Sequence, residues 1–105
     1  WQSVCTSAPE QDLAYFITQS LASEVRNSED WVQIYHDHLL NLGITNYSLA
    51  QCRERYVIAA LYLVCYATII SGTLDLANER GRALGETLFG NAMSSLTELD
   101  AFSLL

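Results

Sequence analysis

Basic side chains are scarce in this sequence of 105 residues. It contains no lysine, and its five arginines stand against twelve acidic residues, which gives a formal net charge of −7. Nucleic acids are bound by basic surfaces that neutralise phosphates, and anionic membrane surfaces attract clusters of basic residues. The composition therefore disfavours both partners, and we expect neither nucleic-acid nor membrane binding.

Cysteine is also sparse and follows no metal-binding or disulfide pattern. Cys5, Cys52 and Cys65 show no CxxC spacing, no paired-histidine motif accompanies them, and no signal-peptide pattern opens the sequence. These features are typical of a reducing compartment, so we predict a cytoplasmic protein. Cys65 lies in an apolar stretch, which predicts a buried thiol.

The longest stretch without a charge, residues 56–74, is too short in its densely apolar part to predict a membrane span. That part has about 15 residues, whereas a spanning helix needs about 20. Half of the whole sequence is apolar, which is enough to build the core of one small domain. We therefore interpret the stretch as a buried core helix in a single helical domain, residues 1–105.

Apolar residues recur at helical spacing along the chain, and no stretch shows the alternation of a strand. The pattern predicts an all-α bundle of about four helices around a central helix, about residues 56–71. This segment is apolar all round, which indicates burial on every side. The expected helices span about residues 9–22, 28–42, 48–71 and 76–99.

Residue choice marks several helix ends. Gly43 suits the end of the second helix because glycine readily adopts a positive φ. Ser48 and Gln51 have the spacing of a capping box at the start of the third helix, and Gly72 is expected to end it. The fourth helix contains three glycines that indicate a kink or close approach to a neighbouring helix: Gly81, Gly85 and Gly90.

The segment "YHDH", residues 35–38, resembles a metal or acid–base cluster at first sight. On a helix, however, His36 and His38 point about 200° apart, so they cannot easily share one metal ion. His38 falls on the apolar stripe of the second helix and His36 falls off it. We therefore predict a partly buried His38 and a surface His36.

Tyrosines provide the best candidate binding surface. Tyr56, Tyr62 and Tyr66 could line an aromatic pocket for a cationic ligand, although core packing with the hydroxyls at the edge is more common. With Tyr35 they form our candidate face for a substrate or partner. Asp12 is either a first-turn charge that favours the helix dipole or a structural anchor that ties the helix start to a neighbouring loop.

In their order and spacing, several segments resemble the aminoglycoside-phosphotransferase and choline-kinase-like family, including its ecdysteroid-kinase-like members. In that family, Asp-Trp-Gln or Asp-Phe-Gln ends a strand, and helices with Asp-Leu-Ala-Tyr-Phe, Tyr-His-x-x-Leu and an apolar Arg-Tyr stretch follow. The resemblance covers essentially the whole chain. The matching segments are "WQ" (1–2), "DLAYFITQSL" (12–21), "YHDHLLNLGI" (35–44), "YSLAQCRERYVIAALYLVCYA" (47–67) and "ERGRALGETLFGNAMSSLTELDAFSLL" (79–105).

The resemblance implies that the chain corresponds to the C-terminal helical part of a kinase-fold phosphotransferase. In the family, the Asp before Trp-Gln binds magnesium, and the catalytic His-Gly-Asp loop and the nucleotide-binding strands lie further upstream. ATP and magnesium are thus implied only for an intact member, and we expect no catalytic, cofactor-binding or metal-binding residue in this chain. By the same resemblance, Asp12 would anchor the backbone of the catalytic loop.

Two functions follow as expectations. The family's C-terminal helices form one wall of the acceptor-substrate pocket, so the chain would be a non-catalytic fragment of the substrate side of a small-molecule phosphotransferase. Its apolar contact surface would be uncovered, and we expect it to form a two-fold homodimer. The alternative is an autonomous helical module that binds a protein partner or a small hydrophobic or cationic ligand.

Overall fold

The structure is a computed structural model that describes residues 6–104, without the side chain of Leu104. Trp1, Gln2 and Cys5 therefore lie outside the described residues. Within residues 6–104 every element is helical and there is no strand, so the prediction of an all-α fold is confirmed. The helices are α1 (Glu10–Ser20), α2 (Ser23–Arg26), α3 (Trp31–Asn41), α4 (Leu49–Thr73), α5 (Glu79–Glu98) and a 3₁₀ helix (Ala101–Leu104).

The long helix α4 is the centre of the fold, as predicted, because α1, α3 and α5 all pack against it. The predicted capping box starts the helix, with the Ser48 hydroxyl accepting from the Gln51 backbone N–H. Gly72 does not end the helix as predicted. The last helical residue is Thr73, and the chain leaves the helix at Leu74 in an extended conformation, so no left-handed glycine is needed there.

Two helix starts in the first half of the chain differ from the sequence pattern. A short helix, α2, follows α1 where a loop was expected, and α3 begins at Trp31 rather than near residue 28. Asp30 sets this start because its Oδ1 accepts a 3.0 Å hydrogen bond from the Gln33 backbone N–H, which satisfies an otherwise unpaired donor of the first turn. Gly43 follows α3 with a φ of 88°, which confirms its predicted role.

The central helix is not buried on every side, so this prediction is wrong. Ile58, Tyr62 and Ile69 are 54%, 55% and 67% exposed, and the Cys65 thiol, predicted to be buried, is exposed on the same side. The small size of the bundle explains the difference. Three helices cover one side of α4, and nothing in the described part of the chain covers the other side.

The exposed side of α4 is relevant to whether this helix could cross a membrane. By length and composition, α4 could cross a membrane, since an 18-residue window has a mean hydropathy of 1.7. Core helices of soluble proteins meet the same criterion, but in this structure only 28% of that window is buried. An apolar helix side of this kind is typical of an interaction surface.

A bidentate ion pair joins the short helix α2 to the end of α5. Arg26 donates from Nε to Glu98 Oε2 at 2.7 Å and from a terminal nitrogen to Oε1 at 2.9 Å. The same guanidinium donates to the backbone carbonyls of Thr18 and Leu21 at the end of α1. One buried side chain therefore links α1 and α2, which are neighbours in the sequence, to the distant helix α5.

The three glycines of α5 have different surroundings, and the helix continues through all of them. A Cβ at Gly81 would overlap the carbonyl oxygen of Asp75 in the connection from α4, and a Cβ at Gly85 would contact Ser71 of α4. Gly90 has open space around it. Close approach, one of the two predicted reasons, therefore applies to Gly81 and Gly85 but not to Gly90.

We predict opposite effects for two alanine substitutions in α5. Gly90→Ala should stabilise the protein by about 1 kcal/mol, because alanine has the higher helix propensity and meets no neighbour. Gly81→Ala should destabilise it despite the same gain in propensity, because the connection from α4 must move. Urea unfolding of both variants measures the difference, and equal stabilisation by both would contradict the close approach at Gly81.

We also predict that the ion pair at Arg26 is much more important than the exposed pair between Arg53 and Asp30. Arg26→Ala should lower the free energy of unfolding by about 2–3 kcal/mol because it removes several charge-assisted hydrogen bonds. The matched control, Arg53→Ala, should lower it by less than about 1 kcal/mol, as expected for an exposed pair. Similar losses in both variants would contradict this assignment.

The pH dependence of this effect follows from the Glu98 carboxyl group. Hydrogen bonding from Arg26 lowers its pKa from 4.5 to about 2 in the folded protein. A lowered folded-state pKa stabilises the fold above the unfolded-state value, and this contribution is lost as the pH falls towards the folded-state value. The difference between the original protein and Arg26→Ala should therefore be constant above pH 5 and shrink as the pH falls from about 4.5 to 2.

Candidate ligand-binding groove

Two adjoining cavities, of about 390 and about 250 Å³, lie between the start of α1 and the exposed side of α4. Gln11 and Tyr62 line both cavities, so we treat them as one surface and name it the α1–α4 groove. The cavity of about 250 Å³ forms the acidic and aromatic end of the groove, which is lined by Asp12, Tyr15, Tyr62 and Tyr66. The cavity of about 390 Å³ forms the other end of the groove, which is more apolar than the first and includes Arg55 and Ile58.

Helix geometry brings the acidic and aromatic side chains together. Asp12 and Tyr15 are three residues apart on α1, and Tyr62 and Tyr66 are four apart on α4, so each pair shares one face of its helix. The rings of Tyr15 and Tyr66 meet edge to face, with centroids 6.1 Å apart and an interplanar angle of 74°. A carboxylate beside several aromatic rings is suited to a cationic ligand.

The opposite end of the groove carries a positive charge. The Arg55 guanidinium carbon lies 5.3 Å from the centre of the Tyr47 ring, a distance at which cation and ring attract each other. Ile58 and Ala59 supply the apolar lining between this charge and Tyr62. The groove can therefore contact a ligand with a cationic group at one end and an apolar or anionic part at the other.

The four tyrosines of the candidate face do not lie together. Tyr62 and Tyr66 line the groove, whereas Tyr56 is 4% exposed and Tyr35 packs against the core formed by α1, α3 and α4. Burial raises the pKa of Tyr56 to about 12 and also raises that of Tyr35. Sequence reasoning missed Tyr15, although its position one turn after Asp12 is a signal that could have identified it.

Asp12 is exposed in the first turn of α1. Its negative charge lies near the positive end of the helix dipole, which favours the helix. This position agrees with the plainer of the two interpretations from the sequence. The anchoring role implied by the family resemblance stays a prediction, because the loop concerned lies outside this chain.

The prediction for the two histidines of α3 is wrong, because His36 is the buried one and His38 is the exposed one. His36 is 7% exposed and its Nε2 donates a 2.8 Å hydrogen bond to the Tyr47 carbonyl oxygen, whereas His38 is exposed. The reason is the rotation of α3, which turns the row of Val32 and His36 towards the core. The apolar stripe gave the wrong orientation because Ile34 and His38, which lie on it, are exposed.

A buried carboxyl group supports the groove from the start of α1. Glu10 is fully buried, and its Oε1 accepts a 2.6 Å hydrogen bond from the Tyr47 hydroxyl. Burial, followed by this bond, raises the pKa of Tyr47, and burial likewise raises that of the nearby Cys52 thiol. The bond fastens α1 to the segment before α4, and so positions the side of the groove that carries Gln11.

A further cavity of about 490 Å³ lies near the start of α3. Its charged lining residues are largely paired, since Arg26 binds Glu98 and Arg53 binds Asp30. The charges therefore neutralise one another across the cavity. We assign this region to the stability of the fold rather than to ligand binding.

The remaining chemistry is limited within residues 6–104. No group of three or more His, Cys, Asp or Glu side chains in this range is placed to hold a metal ion. Magnesium and ATP stay expectations that the family resemblance implies for an intact member alone. Comparison of the chain with protein-family models, curated proteins and solved structures gives no match.

We predict that the Tyr47 hydroxyl is important for stability and that the Tyr62 hydroxyl is not. Tyr47→Phe leaves the buried Glu10 carboxyl without its partner, which should lower the free energy of unfolding by about 1–3 kcal/mol. The control, Tyr62→Phe, changes a half-exposed tyrosine and should leave stability nearly unchanged. Thermal unfolding measures both, and equal melting temperatures would contradict the buried hydrogen bond.

Proposed function

We propose that this chain is a non-catalytic binding domain whose α1–α4 groove takes a small ligand with a cationic and an apolar part. The observation that carries the proposal is the placement of the Asp12 carboxylate beside the rings of Tyr15, Tyr62 and Tyr66. Charge attraction and the negative ring faces act together at such a site. The apolar part of the ligand would lie towards Ile58.

We further propose that the domain corresponds to the substrate-side C-terminal subdomain of a small-molecule phosphotransferase. The support is the sequence resemblance, together with the position of the groove between α1 and α4, which carry the segments 12–21 and 47–67 of that resemblance. In the family these helices form one wall of the acceptor pocket. ATP and magnesium would then be bound by other parts of an intact enzyme, and this chain would bind the acceptor without transferring phosphate.

An autonomous helical module is the second candidate, because α1 and α4 of this one chain bring the lining residues of the groove together. The two candidates differ in what the gene encodes before Trp1. An Asp codon directly upstream, with a His-Gly-Asp triplet earlier in the same frame, is expected for the phosphotransferase. A start codon directly before Trp1 would contradict that candidate and support the autonomous module.

The groove itself can be tested with a simple cationic probe, whichever candidate holds. We expect choline to shift the NMR signals of Tyr15, Tyr62 and Tyr66 at millimolar concentration, and its neutral isostere 3,3-dimethylbutanol to bind several times more weakly. Asp12→Asn should weaken choline binding about fivefold, which corresponds to the roughly 1 kcal/mol of an exposed cation–aromatic site.

The matched control for this experiment is Asp37→Asn. Asp37 is an exposed carboxylate on α3, outside the groove, and its substitution changes the net charge by the same amount. Equal weakening by both variants would show that choline responds only to the overall acidity. Equal binding of choline and the neutral alcohol would likewise contradict a cation site.

A further inference from the structure

The exposed side of α4 carries a row of residues at the spacing of a coiled coil. The residues follow one another at intervals of four, three, four and three positions, which is the alternation of a and d positions in a heptad repeat. They lie across the helix from Ala60 and Ser71, which face α5. We name this row the α4 seam; it consists of Ile58, Tyr62, Cys65, Ile69 and Gly72.

The distribution of charge indicates which partner fits the seam. The chain as a whole has a net charge of −7, but α4 has no charged residue from position 56 to its end. Two copies of an acidic protein repel each other over most of their surfaces. The seam is an uncharged surface on which two copies can meet without that repulsion.

Charges at the two ends of the helix favour one relative orientation. Arg53 is already paired with Asp30, so Arg55, three positions before Ile58, is the positive charge at the start of α4 that can favour one orientation. Asp75 follows the end of the helix. In an antiparallel pair Arg55 of one copy lies towards Asp75 of the other. The helix dipoles are then also antiparallel, which is favourable.

We propose that the α4 seam binds the α4 seam of a second copy of this chain, antiparallel and about a two-fold axis. The register that aligns a with d positions places Ile58 opposite Ile69 of the partner copy, and Tyr62 opposite Cys65. A large side chain thus faces a small one near the axis, which permits close packing. Arg55 of each copy lies near the last turn of the other helix.

The size of the seam limits the strength of the dimer. From Ile58 to Gly72 the helix rises about 21 Å and, with side chains, is about 10 Å wide. A face of this size is well below the roughly 800 Å² per partner that a standard stable interface buries. We therefore expect the dimer to dissociate in the micromolar range or above.

Sedimentation velocity over a range of concentrations tests the proposal on the full chain. The original protein should shift from monomer to dimer, and Ile69→Glu should raise the dissociation constant at least tenfold. The control is Leu42→Glu, because Leu42 is 80% exposed but lies outside the seam. Circular dichroism checks that both variants fold. Ile69 lies outside the α1–α4 groove, so this result is independent of ligand binding.

A monomer at every concentration would overturn the proposal, as would equal dissociation constants for the Ile69→Glu and Leu42→Glu variants. Partition of the protein into phosphatidylcholine vesicles in place of dimer formation would also overturn it. Nitroxide labels test the orientation. In a Cys5→Ser background, labels at Cys65 should be offset by only about 4.5 Å along the helix axis. Labels at Thr73→Cys, with Cys65→Ser added to that background, should be offset by about 29 Å. Short distances at both positions would indicate a parallel pair and contradict the proposed antiparallel one.

Discussion

Packing against one side of α4 is the constraint on which the rest of the structure depends. The other long helices all contact this helix, and its buried row includes Cys52, Ala59, Ala60 and Ala67. Small side chains in that row allow α1 and α5 to approach closely, and Tyr56 and Leu63 fill the remaining space. A bundle of this size has only enough helices to cover one side, so the other side of α4 remains available for interactions.

The sequence pattern predicted those features of the fold that depend on interactions between residues close together in the chain. The all-α class, the central helix, the capping box at Ser48 and the glycine turn at Gly43 depend on residues close together in the chain, and the structure confirms them. The burial of α4 on every side could not be judged in the same way. Composition shows that a helix is apolar all round, but not how many neighbours are available to cover it, and for this reason the exposure of Cys65 was missed.

Polar contacts between residues far apart in the chain could not be predicted from sequence patterns. Arg26 and Glu98 are separated by 72 positions, and Glu10 and Tyr47 by 37, so no periodicity connects either pair. The same limit applies to the candidate groove. Tyr62 and Tyr66 share a face because they are four residues apart on one helix. The arrival of Asp12 and Tyr15 beside them depends on how α1 packs on α4.

The two proposed interactions use neighbouring surfaces of the same helix. Tyr62 lines the α1–α4 groove and also belongs to the α4 seam. Ligand binding and self-association therefore both depend on the uncovered side of α4. Both interactions require that this helix has one buried and one exposed side in the folded chain.

The reactivity of the two cysteines on α4 measures this requirement most directly. In a Cys5→Ser variant at low concentration, a maleimide should modify the exposed Cys65 rapidly and the buried Cys52 slowly. Burial raises the pKa of the Cys52 thiol, which further slows its reaction because the thiolate is the nucleophile. Peptide mapping by mass spectrometry identifies the modified residue. Rapid modification of Cys52, or equal protection of both thiols in the monomer, would contradict the account.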